Sequence, residues 1–127
     1  MKDTVQIFVY GTLKNGMCNE HFLKRLVGKQ VPLPVSTTIE YPMYKSEQYF
    51  PYLENQPGIG HIIEGEMYTI QDKYLNNLDM FEGVPDLYIR GEIEVELESL
   101  TFNCLCYFKA ENTSVDLEEC FPEWLEN

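Results

Sequence analysis

The sequence has no apolar stretch approaching a membrane span, and its nine Lys and Arg are outnumbered by 21 Asp and Glu. The first absence argues against a transmembrane segment. The second leaves a net charge of −12, a surface that phosphate backbones and anionic headgroups repel. Nucleic-acid binding would need a local basic cluster, yet the cations are scattered and Lys24-Arg25 is the densest spot. Four cysteines are too few and too irregular for a disulfide framework, and two histidines without ligand spacing supply no metal site. The cysteines Cys18, Cys104, Cys106 and Cys120 are expected as buried free thiols, with Cys104 and Cys106 on one face of a strand. Met1–Thr4 runs straight into strand-like sequence, so no leader is expected and the protein reads as cytoplasmic. No serine sits in a nucleophile elbow, and Gly11 and Gly16 have neither dinucleotide-loop nor P-loop spacing.

What is present fits one α+β domain over residues 1–127. The apolar fraction of 44% is sufficient for a core, and nine Tyr with seven Phe favour strands and aromatic-lined cavities. Val5, Ile7 and Val9 alternate with Gln6, Phe8 and Tyr10 as a half-buried strand. Phe22, Leu23, Leu26 and Val27 share a helical face that Gly28 ends. Val31–Glu40, with Pro32 and Pro34, reads as an edge or irregular strand. Tyr41–Gly60, punctuated by Pro42, Pro51 and Pro57, reads as an ordered loop packed on the core. His61–Ile70 returns to strand character. Asp72 is positioned to cap a helix burying Tyr74, Leu75, Leu78 and Phe81, which Gly83 and Pro85 terminate. Ile93, Val95 and Leu97 alternate with glutamates, and Phe102–Phe108 pairs back after a turn near Ser99. Phe121, Pro122 and Trp124 are expected to dock a tail. With no long exposed apolar pattern, a monomer is the default.

Two local features bear on chemistry. Tyr10-Gly11-Thr12-Leu13 places a glycine where a strand stops, so backbone N–H groups are free to face a ligand instead of continuing a ladder. Glu82 ends a core-facing helix, where the dipole disfavours a carboxylate and burial raises its pKa toward a general base's range. From pattern alone the commoner reading of Glu82 is an ordinary exposed glutamate among many acidic residues.

Val9-Tyr10-Gly11-Thr12-Leu13-Lys14 resembles the signature loop of the γ-glutamylcyclotransferase-like (AIG2-like) family. Glu64-Gly65-Glu66-Met67-Tyr68, Leu78-Asp79-Met80-Phe81-Glu82-Gly83 and Leu87-Tyr88-Ile89-Arg90 are similar to its second motif in order and spacing. With Phe121-Pro122-Glu123-Trp124, the resemblance runs from Val5 to Trp124 and fits the γ-glutamylamine subgroup best. It implies a small, partly closed mixed β-barrel with flanking helices. It also implies a cofactor- and metal-free cyclisation of a small γ-glutamyl substrate to 5-oxoproline and a free amine, such as lysine from γ-glutamyl-ε-lysine. Glu82 carries over as the catalytic acid/base, and Tyr10, Gly11, Thr12 and Leu13 as the substrate loop. Tyr88 is a candidate cavity wall, and Glu66, Arg90, Tyr44 and Pro51 rank below these, with Arg90 expected on a buried carboxylate. A non-enzymatic metabolite- or protein-binding module, or a cyclotransferase for another γ-glutamyl substrate, is the alternative.

Overall fold

The computed structural model describes residues 3–45, 51–110 and 123–125. Strand β1 (Thr4–Val9) leads through a loop to helix α1 (Glu20–Val27), followed by β2 (Leu33–Tyr41), β3 (Met43–Lys45) and β4 (Pro51–Leu53). The long β5 (His61–Gln71) enters a single 3₁₀ turn, Asp72–Tyr74, that continues as α2 (Leu75–Glu82). The chain ends its regular structure in a hairpin, β6 (Tyr88–Leu97) and β7 (Leu100–Lys109). Among the described residues, no helix is long and apolar enough to cross a membrane.

Five strands close into a barrel in the order β1-β5-β2-β6-β7. Neighbours are antiparallel except at the seam, where β1 meets β7 in parallel with Ile7 opposite Leu105. This makes the expected mixed barrel, fully ringed and lightly stitched at one seam. Closure divides the apolar residues into two sets. Phe8, Val35, Met67, Ile93, Val95, Cys104 and Phe108 come from all five strands and fill the interior. Ile7, Val9, Tyr68, Ile70 and Tyr107 point the other way, to a second core completed by Leu23 of α1 and Leu78 of α2. That is why β1 departs from the expected half-buried pattern: Ile7, Phe8, Val9 and Tyr10 are all buried, because both of its faces are covered. On β6 the expected alternation holds, with Ile93 and Val95 buried and Glu92, Glu94 and Glu96 exposed.

The remaining departures have local causes. β2 is not an edge strand; it lies between β5 and β6, and its irregularity is a register shift between Ser36 and Glu40. A closed ring has no edge for a proline-bearing strand to occupy. The stretch expected as a loop after Tyr41 contains the β3–β4 ladder, Met43 opposite Leu53 and Lys45 opposite Pro51. Three-residue strands are too short to show a period, and Pro51 stands first in its strand, where a missing N–H is tolerated. Asp72 opens the 3₁₀ turn but its side chain caps nothing. Of α2's expected apolar face only Leu78 is fully buried; Phe81 stacks on Phe22 near the surface with ring centroids 4.3 Å apart. Cys104 and Cys106 are buried free thiols, whereas Cys18 is exposed. Cys120, Phe121 and Pro122 lie outside the described residues, and Trp124 is buried against the barrel interior.

Candidate active site

Beyond Val9 the chain leaves the β1–β5 ladder and turns, with Lys14 N–H closing on Gly11 O at 3.1 Å. No described residue accepts a hydrogen bond from the N–H groups of Gly11, Thr12 or Leu13. Among the described residues, three consecutive backbone donors are thus left open to an oxygen-bearing ligand. The loop is pinned on several sides. Asn15 N–H donates to Glu66 Oε1 at 2.7 Å, and Lys14 Nζ to Trp124 O at 2.7 Å. Gly11 is dictated by proximity: a Cβ there would lie 2.6 Å from Pro51 Cγ, inside any permissible contact. Gly11→Ala is accordingly expected to force the loop away from β4. Overpacking of this kind costs about 1–3 kcal/mol, measurable as a lower urea midpoint of the purified variant.

Glu82 is the last residue of α2, and Gly83 terminates the helix in the left-handed conformation, φ 73°. One turn earlier, Asp79 ties α2 to the barrel. It accepts from Tyr107 O–H at 2.7 Å and from Arg90 Nη1 at 3.0 and 3.1 Å. Arg90 and Tyr107 face each other across the β6–β7 ladder, so one carboxylate grips both strands. Arg90 therefore binds a carboxylate as expected, but a partly exposed one rather than a buried one.

Glu82 shares a cleft with Tyr10, Gly11, Thr12, Leu13 and Tyr88, so the first-ranked candidates lie together. The cleft is small, with a volume of about 30 Å³. Burial pushes the Glu82 carboxyl up from its usual 4.5 to about 8. Tyr10, Tyr88 and Tyr107 also border the cleft, and burial above all raises their phenols further from neutrality, followed by the Glu82 charge for Tyr88, by Tyr88 for Tyr10 and by Asp79 for Tyr107. Both nearer hydroxyls are committed, Tyr10 O–H to Tyr107 O and Tyr88 O–H to Pro51 O. Among the described residues lining the cleft, Glu82 is the group that changes protonation near neutral pH, and no Lys, Arg or His is among them.

Of the lower-ranked residues, Pro51 joins the wall and Tyr44 does not, while Glu66 acts through its bond to Asn15. Tyr107 was not legible as a site residue, because it resembles any aromatic in a packed hairpin. Asn19 was equally hidden: it donates to Thr12 from both its backbone and its side chain, a pairing that needs the loop's curvature. No cluster among the described residues has the composition of a metal site.

Residues 7–125 match the family model described as gamma-glutamyl cyclotransferase, AIG2-like. The gamma-glutamylaminecyclotransferase of Bos taurus is 35% identical over 122 residues, covering 94% of this chain and 69% of that protein. Gamma-glutamylaminecyclotransferase A of Danio rerio is 38% identical over 96 residues, covering 73% of this chain but 60% of its own length. In three dimensions the chain is similar to the crystal structure of an AIG2-like protein of Mus musculus. That likeness has a TM-score of 0.79 at 27% identity and covers 93% of this chain and 88% of the other.

Proposed function

The chain belongs to the gamma-glutamyl cyclotransferase, AIG2-like family, and from that premise we propose that it is a γ-glutamylamine cyclotransferase. The observation that carries the reading is the pairing in one cleft of Glu82, its carboxyl raised to about 8, with the N–H groups of Gly11–Leu13, which have no acceptor among the described residues, where no described Lys, Arg or His lines the wall. Such a site suits a substrate that brings its own positive charge beside an oxygen that becomes negative.

A γ-glutamyl unit has both. Its α-ammonium gives a proton to the Glu82 carboxylate, and the freed amine attacks the γ-carbonyl carbon of the same molecule. Holding the chain folded lets ring closure gain from proximity. Negative charge that gathers on the carbonyl oxygen is met by the loop N–H groups. On collapse the bond to the leaving nitrogen breaks and that nitrogen takes the proton back from Glu82, while the ring nitrogen sheds its second surplus proton, which departs with the amine as an ammonium. One C–N bond forms and one breaks, no water is consumed, and the products are 5-oxoproline and an amine. The bound ammonium also favours ionised Glu82, offsetting the burial that keeps it protonated in the empty cleft.

The subgroup reading rests on the relatives' names and on the motif order, and substrate competition tests it. Purified protein incubated with γ-glutamyl-ε-lysine is expected to release 5-oxoproline and lysine, followed chromatographically, faster than it converts γ-glutamyl-alanine or glutathione. Turnover of another γ-glutamyl compound alone would keep the reaction and discard the subgroup. No turnover of any by folded protein would leave a binding module.

A further inference from the structure

We propose that Asn19 is a positioning residue that fixes the Thr12 hydroxyl as a hydrogen-bond donor to a ligand oxygen; this rests on the cleft's being a γ-glutamyl site. Asn19 stands immediately before α1, the N-cap position, where an Asn side chain ordinarily accepts from the helix's free N–H groups. Here it makes no such bond. Its Nδ2 instead reaches back seven residues to donate to Thr12 Oγ1 at 3.0 Å, while its backbone N–H donates to Thr12 O at 2.9 Å. A residue suited to capping thus leaves its helix uncapped and holds the substrate loop from both sides.

The direction of that bond has a chemical consequence. A threonine hydroxyl has one hydrogen to give and two lone pairs to receive. An amide N–H on Oγ1 occupies a lone pair and leaves the hydrogen to be used elsewhere. Among the described residues Thr12 O–H donates to no acceptor, and Thr12 lines the cleft. The hydroxyl is therefore biased to donate outward, adding a side-chain donor to the backbone N–H groups of Gly11–Leu13. Its partner is a carboxylate or carbonyl oxygen of the ligand.

Two substitutions separate this from a merely structural role. Asn19→Asp keeps the shape but replaces the donor with an acceptor, so Thr12 O–H turns to the new carboxylate and presents lone pairs to the ligand. Asn19→Ala removes the side chain and lets the hydroxyl rotate freely. Binding of 5-oxoproline, measured by titration calorimetry, is expected to weaken by about tenfold or more in Asn19→Asp and by less in Asn19→Ala, the order opposite to that of lost packing. KM for γ-glutamyl-ε-lysine should rise in the same order. In a Thr12→Val background, Asn19→Asp should have little further effect. If Asn19→Asp binds as well as or better than Asn19→Ala, or if its penalty persists in full with Val at position 12, the proposal is wrong. The second result would point to simple charge repulsion. Wild type that neither binds nor converts any γ-glutamyl compound would overturn the functional reading and this one together, whereas the two preceding results overturn this one alone.

Discussion

Glu82→Gln is expected to lower turnover of γ-glutamyl-ε-lysine by about a hundredfold or more, the scale of a lost general acid–base group. The amide has nearly the same shape but cannot take a proton from an ammonium or return one to a departing amine. Because the wild-type carboxyl is held near 8 by burial, a neutral Gln suits the empty cleft at least as well. Folding should therefore survive, and 5-oxoproline, which carries no ammonium, should still bind within a few-fold of wild type. Product formation by chromatography and product affinity by calorimetry separate the two effects. Equal turnover by variant and wild type would remove Glu82 from the mechanism. Loss of binding together with turnover would instead assign it to substrate positioning.

Activity and stability should respond to pH in opposite directions through the same group. In its proposed role as base, Glu82 must be ionised, so kcat/KM is expected to rise as pH approaches about 8. Above about 8 the carboxyl is ionised throughout and contributes no further rise. Stability runs the other way. The folded carboxyl titrates near 8 and its ordinary value is 4.5, so between these limits the folded state holds more proton than the unfolded chain. Rising pH across that window favours unfolding, by at most about 1.4 kcal/mol per unit. Below 4.5 both states are protonated and above about 8 both are ionised, so the contribution is flat outside the window. Urea melts of wild type and Glu82→Gln at pH 5 and pH 8.5 test this. The variant should gain on wild type at the higher pH, and a difference that does not change with pH would show that the carboxyl is not desolvated.

Where local pattern governs an element, sequence by itself determined it. The alternation of Ile93 and Val95 with glutamates defined β6, Gly28 and Gly83 ended the helices, and Gly11 broke the first strand. Each depends on a few adjacent residues, which is the range over which side-chain period and backbone sterics act. The residues that line the cleft were legible as candidates for a related reason: the loop after β1 and the end of α2 are continuous motifs whose order is kept along the chain.

Only the tertiary structure decided what those residues are able to do. Glu82 is one glutamate among many until the fold desolvates it in the cleft it shares with Tyr10 and Tyr88. Its raised pKa sums contributions from residues far apart in the chain, and no local window contains them. The contact that makes Gly11 obligatory comes from Pro51, in a strand too short to register as a period. Closure at Ile7 and Leu105 buried both faces of β1, and the curvature of the loop turned Asn19 from a helix cap into a hold on Thr12. Desolvation, ring closure and hydrogen-bond direction depend on where distant groups meet, and that is settled in space rather than along the chain.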